Sequence, residues 1–223
     1  MILDDLVAAT QQRVAGEKAH TSLVTMRTQA EALPIGKGLR FSEILKQPGI
    51  HIIGEVKKAS PSKGLIATDF PYQQIAADYE AAGVTAISVL TEQTYFQGQL
   101  SILTQQQLED YLALATSLGL SAIVEAHNQS EVERAVAAGA QIIGVNNRNL
   151  ADFSMNLDNS LELRAAVPGT VAMIAESGIK TRDDIIKLER AGINGVLIGE
   201  TLMRASNKRQ LARELAGVAN DSN

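Results

Sequence analysis

A chain of 223 residues with 45% apolar and 20% charged side chains can bury a full core, and this length suits one α/β barrel or two small domains. Its net charge of −5 excludes a general attraction to nucleic acid or anionic lipid, so an anionic ligand must be held by a local cluster of positive groups. With no cysteine, disulfides and thiolate metal sites are excluded, which fits a reducing compartment.

The N-terminal stretch MILDDLVAATQQR carries acids where a signal peptide carries bases, and no apolar run approaches membrane-spanning length. A soluble cytoplasmic protein without a membrane partner is the expectation. The first 45 or so residues read as amphipathic helices, with Leu3, Leu6 and Val7 on one face and FSEILKQ at the end. They are expected as a helical extension, 1–47, of a single barrel domain whose β/α part runs from 48 to 223.

Beyond it one pattern recurs: an amphipathic segment, a glycine, then a short apolar run. It appears as IAADYEAAG–VTAISVL, YLALATSLG–LSAIVEA, VERAVAAG–AQIIGVN and IIKLERAG–INGVLIG. Gly83, Gly119, Gly139 and Gly192 each stand where a helix closes in a left-handed residue. Helix starts are predicted at Thr104 with Gln107, Ser130 with Glu133 and Thr181 with Asp184. The apolar runs do not alternate with polar residues, as expected for strands covered on both faces. Six strands are predicted near 51–56, 85–90, 121–126, 141–146, 171–176 and 195–199. Helices alternating with such strands define an α/β protein with a parallel sheet.

Polar groups gather at the carboxyl ends of these strands. The first ends in Glu55 and Lys57, the third in Glu125, and the fourth in Asn146, Asn147 and Arg148. The fifth ends in Glu176, Ser177 and Gly178, the last in Gly199 and Glu200. One charged strand end is usually a solvated turn. Five in register point to a site, because the loops of a parallel α/β fold converge at that end. Ser177-Gly178 and Gly199-Glu200 start turns whose backbone N–H groups can approach an oxyanion, so a phosphorylated small molecule is the expected ligand. Arg148 can add a charged fork. Glu125 is a candidate proton-transfer group, and Lys57 can fix a carboxylate or donate a proton. Lys58 and Lys63 read as solvated, and Glu200 can simply pair with Arg204. His20, His51 and His127 show no metal-ligand spacing and carry no assigned role. Asn128-Gln129-Ser130 matches a glycosylation triplet, which means nothing without a secretion signal.

The segments EVKKASPSKG, SVLTEQTYFQG, IVEAH, IIGVNNRNL, AESGI and VLIGETLMR, in this order, resemble the indole-3-glycerol phosphate synthase family of tryptophan biosynthesis. The resemblance runs from MILDDLVA to about Arg204. It implies a TIM-type (β/α)8 barrel with an N-terminal helical extension over the catalytic face, monomeric, with no cofactor and no metal. The implied reaction closes the pyrrole ring of 1-(2-carboxyphenylamino)-1-deoxyribulose 5-phosphate with loss of water and carbon dioxide. By the same resemblance Glu55 and Lys57 match the first-strand active-site pair, Ser60 a neighbouring loop serine, and Phe96 an aromatic near the substrate ring. Glu125 matches the proton-transfer carboxylate, Asn146 a group that orients the substrate, and Glu176 a substrate-contacting carboxylate. Arg148, Ser177, Gly178 and Gly199 match the phosphate side, with Glu200 where many members have serine.

The chain departs from the family after FQGQLS, which runs straight into ILTQQQLEDYLALATSLG. Against the family pattern a segment of roughly 35–40 residues is missing near 100–103, carrying the third and fourth barrel strands. The lysine to which the family assigns general-acid duty lies in that segment. Losing two neighbouring strands leaves either an open gap with unpaired edges, which invites self-association, or a tighter six-stranded closure. A chain reduced to phosphosugar binding is therefore the second functional reading. A different phosphate-binding barrel enzyme, such as phosphoribosylanthranilate isomerase or a tryptophan synthase α-like lyase, fits EVKKASPSKG and the Asn-x-Arg strand end less well.

Overall fold

The computed structural model of the protein describes residues 2–32, 41–60, 64–89, 104–117, 121–149 and 152–218. The chain forms two compact units. Helices α1 (Ile2–His20) and α2 (Leu23–Glu31) belong to the smaller, and the described elements from Phe41 onward belong to the larger.

In the larger unit, α3 (Phe41–Ile44) leads into β1 (His51–Val56), a two-residue hairpin of β2 (Ala59–Ser60) and β3 (Gly64–Leu65), and α4 (Tyr72–Ala81). The chain continues as β4 (Ala86–Val89), α5 (Gln105–Ser117), β5 (Ile123–Ala126), α6 (Gln129–Ala137) and β6 (Ile142–Asn146). It ends as α7 (Asp158–Leu163), a short 3-10 turn, β7 (Ala172–Glu176), α8 (Arg182–Arg190), β8 (Gly195–Ile198), α9 (Glu200–Arg204) and α10 (Lys208–Ala216). All six strands expected from the apolar runs are present, each within two residues of its expected ends. The β2–β3 hairpin is an addition that two-residue strands do not announce.

The six strands make one parallel sheet in the order β4-β1-β8-β7-β6-β5. The order runs through the first strand to the last, as in a barrel, yet β4 and β5 lie at opposite edges. Each is paired on one side only among the described residues. The fold is thus a curled, open barrel sheet, and the gap falls between two strands that are neighbours in sequence. Among the described residues β4 and β5 do not pair, so no six-stranded closure is seen.

Strand side chains alternate between two layers. On the outer face, Ile52, Val56, Ile143, Val145, Met173, Ala175, Val196 and Ile198 join the buried cluster that also holds Val132, Ile185, Leu188, Leu202 and Leu215 of the helices. On the inner face, Ile53, Ile142, Ala172 and Ile174 form a second cluster closed by Leu45, with Phe41 packed against it. The FSEILKQ segment therefore plugs the lower end of the sheet. Helices stop where the sequence says they do: Gly83, Gly139 and Gly192 have φ of +81°, +83° and +80°. Gly119 lies outside the described residues. At α8 the capping box forms, Thr181 Oγ1 accepting from Asp184 N (3.1 Å) while Asp184 Oδ2 accepts from Thr181 N (2.9 Å). The start of α6 is a correction. Asn128, not Ser130, caps it, its Oδ1 accepting from Glu131 N at 3.0 Å, because Ser130 already stands inside the first turn.

Candidate active site

Along each inner face the side chains turn from apolar to polar toward the carboxyl end. The successive positions read Ile53-Glu55-Lys57 on β1, Ile123-Glu125-His127 on β5, Ile142-Gly144-Asn146 on β6, Ile174-Glu176 on β7 and Leu197-Gly199 on β8. The period of two explains why one face of the same strands builds both the core and the site.

Two glycines make room for the carboxylates. A Cβ on Gly144 would collide with Glu176 Oε1, and a Cβ on Gly199 would collide with Glu55 Oε2. Glu55 is 3% exposed and forms an ion pair with Lys57, which offsets the cost of burying its charge. Glu176 is held well above the usual carboxylate range, first by burial, then by the nearby negative charges of Glu125 and Glu55, with Lys57 pulling the other way. Three acids and one lysine thus share the mouth of the sheet.

Glu125 and Asn146 meet directly, Asn146 Nδ2 donating to Glu125 Oε1 at 2.7 Å. Asn146 Oδ1 in turn accepts from Arg148 N at 3.0 Å. His127 joins them: its Nε2 lies 3.3 Å from Glu125 Oε1 and its Nδ1 3.3 Å from Glu131 Oε2. Burial lowers the His127 pKa, but the two carboxylates outweigh it and leave it above the ordinary 6.5.

Beside the last two strands lies a cavity of about 430 Å³ bordered by Glu55, Lys57, Arg148, Ser177, Gly178, Gly199 and Glu200. Seven residues singled out by sequence therefore line one space. Lys180, Thr201 and Arg204 line it as well and were not singled out for it. Ser177 and Gly178 are both left-handed, at φ +66° and +83°, a conformation costly for the serine. Buried Asn147 clamps this turn: its Nδ2 donates to Ser177 O (3.1 Å) while its Oδ1 accepts from Ser160 N and Oγ (3.1 and 2.7 Å). Glu200 accepts from Arg204 Nε at 3.0 Å and also faces Arg148 Nη2 at 3.6 Å, so the simple pairing with Arg204 forms and the carboxylate still reaches the cavity. Lys58 is exposed as expected. The Ser60 side chain, Lys63 and Phe96 lie outside the described residues.

A second polar cavity of about 580 Å³ lies at the carboxyl ends of β5 and β6, bordered by His127, Glu131, Asn146, Arg148, Asn156 and Asn159 among others. Among the described residues no group of three or more His, Cys, Asp or Glu is placed to hold a metal ion. No helix of the described residues is long and apolar enough to cross a membrane.

The parallel sheet, with polar side chains gathered at its carboxyl ends, defines a TIM-type α/β barrel protein. Solved structures agree on the fold. An archaeal fructose 1,6-bisphosphate aldolase superposes with a TM-score of 0.56 at 13% identity, covering 79% of this chain and 96% of that one. A structure titled native KDPGal does so at 0.53 and 18%, covering 77% and 94%.

The sequence profile described as indole-3-glycerol phosphate synthase matches residues 3–105 and 99–215. Relatives bearing that name are 48% identical in Lacticaseibacillus paracasei (95% of this chain, 97% of the relative) and 46% identical in Lactiplantibacillus plantarum (98% and 99%). A third, from Leuconostoc mesenteroides, is 44% identical (97% and 99%). The chain belongs to the indole-3-glycerol phosphate synthase family. The first of these alignments has 252 positions, whereas 95% of 223 residues is about 212, so about 40 positions have no residue from this chain. The two profile matches overlap at 99–105, which in the sequence runs from beyond β4 to the first residue of α5.

Proposed function

We propose that this chain carries out the ring-closing, decarboxylating lyase reaction of its family on 1-(2-carboxyphenylamino)-1-deoxyribulose 5-phosphate, in tryptophan biosynthesis, at a reduced rate. The observation that carries this reading is the convergence of Glu55, Lys57, Glu125, Asn146 and Glu176 on one face of the sheet, next to a cavity bordered by Lys57, Arg148 and two glycine turns. In this reading Arg148 and the turns at Ser177-Gly178 and Gly199-Glu200 hold the phosphate. Glu125 moves the proton, Asn146 orients substrate and catalytic carboxylate together, and Glu176 and the Glu55–Lys57 pair contact the substrate. The family resemblance adds Ser60 and Phe96 to the residues expected near the substrate.

The rate is reduced because the segment that bears the family's general-acid lysine has no counterpart here. A positioned acid contributes about 10²–10⁴ in rate, so that much is lost unless another group supplies the proton. Lys57, beside Glu55 at the mouth of the sheet, is the replacement the site offers.

The open sheet favours a second reading, in which the chain binds phosphosugar without turnover. Purified chain and the complete Lacticaseibacillus paracasei relative, run side by side on the substrate with indole fluorescence as readout, separate the two. Turnover slowed by about 10²–10⁴ and abolished by Lys57→Met supports the proposed function. No turnover from a chain that unfolds cooperatively and still binds a product analogue establishes the second reading.

A further inference from the structure

The ring of His127 is placed by more contacts than its position on the β5 loop requires. Glu131 Oε2 accepts from His127 N at 2.7 Å and also lies 3.3 Å from ring Nδ1, so one carboxylate fixes both backbone and ring. Asn159 Nδ2 donates to His127 O at 3.3 Å and ties the same residue to α7. The other ring nitrogen, Nε2, is cut off from solvent and makes no hydrogen bond, and Glu125 Oε1 lies 3.3 Å from it. A desolvated ring nitrogen left without a hydrogen bond beside a second acid is costly for a histidine serving only to fill space. The ionisable groups around it are Glu125 on its own strand, Glu131 on α6 and, across the polar cavity, Arg148 on the β6 loop, while α7 presents the amide of Asn159.

We propose that His127 is a positioning residue that stores the proton of Glu125, held in place by Glu131. This rests on the reading of Glu125 as the group that moves a proton in the reaction. When Glu125 has taken a proton, the O–H bond at its carboxyl breaks and an N–H bond forms at His127 Nε2. The carboxylate is regenerated and the ring becomes imidazolium. Nδ1–H stays on Glu131 throughout, so the tautomer does not change. The reverse step returns the proton to Glu125. The donation from Asn146 Nδ2 to the same Glu125 oxygen keeps that oxygen in position in both states. The raised pKa of His127 agrees with this role, because the proton is held rather than lost to solvent.

The test begins without turnover. In a titration of the whole chain followed by NMR of the histidine ring protons, His127 titrates above free histidine. Glu125→Gln and Glu131→Gln each lower its midpoint. A midpoint unmoved by Glu125→Gln overturns the proposal, and Glu131→Gln gives a second determination if the first variant does not fold. Kinetics then supply the functional half. His127→Gln keeps a hydrogen-bond donor but has no basic nitrogen to take up a proton, and it lowers kcat by about tenfold with KM unchanged. Added imidazole, entering through the polar cavity, restores part of the kcat of His127→Ala. Equal kcat for His127→Gln and the parent chain overturns the proposal. If the parent chain shows no turnover, the proposed function fails while the NMR midpoints still decide the role of His127.

Discussion

Glu176 sits among like charges, and its protonation is coupled to folding. Its carboxyl is raised well above the ordinary 4.5, so across the pH range between that value and its folded value the native chain binds more protons than the unfolded one. The stability it contributes is complete below 4.5 and is lost as pH rises through the folded value. His127, raised above 6.5, acts in the same direction at higher pH. Thermal melts should therefore show a midpoint that falls between pH 5 and pH 8. Glu176→Gln, which cannot ionise, should flatten the fall and raise the midpoint at pH 8 while removing turnover. A variant with the same pH slope as the parent would refute this account of Glu176.

His127 and Asn147 show what the residues alone did and did not disclose. His127 lacks metal-ligand spacing in the sequence, yet the period of two along β5 places it on the same side as Glu125. Asn147 stands one step off the inner face of β6. Its importance comes from a buried amide that joins the β7 loop to α7, a long-range pairing without a local signature.

At the scale of elements, β6 is the strand whose inner face has been hollowed out for a neighbour. Gly144 leaves the space that the Glu176 carboxylate occupies, and a methyl group there must push that carboxylate aside. Gly144→Ala should lower kcat by about 10² through misplacement of Glu176. Its unfolding midpoint should change less than that of a substitution in the outer core such as Ile143→Ala, compared by denaturant titration. A Gly144→Ala chain with full activity would mean that Glu176 acts from elsewhere. Strands and helices were legible in advance because unbroken apolar runs and closing glycines are local signals. The β2–β3 hairpin was not, since two paired residues carry no period. The α6 cap was misread because Asn128 and Ser130 are both good caps, and the turn geometry chooses between them.

The whole larger unit is governed by its missing closure. Sequence spacing could locate the lost strands but could not say whether six strands would draw together, because that depends on the curvature of the sheet. Among the described residues the order β4-β1-β8-β7-β6-β5 leaves one side of β4 and one side of β5 unpaired. Ile87 on β4 and Ile123 on β5 are 38% and 39% exposed, and β4 carries no charge to deter pairing. Sedimentation velocity should show association growing through the μM to mM range, and Ile87→Lys should suppress it. A chain that stays monomeric throughout would mean these edges are covered in solution.

The unbroken neighbour relations of the six strands also make this chain a receptacle. Nothing in the sheet has been rewired around the gap: β1 still lies between β4 and β8, and β6 between β5 and β7. Two strand-and-helix cassettes spliced between β4 and α5 would meet matching margins on both sides, with no strand pairing among the described residues to dissolve. The seam is a natural docking bay for grafting foreign β/α modules, and through them a different acid or a different cavity wall, beside the polar cavity already in place at β7 and β8.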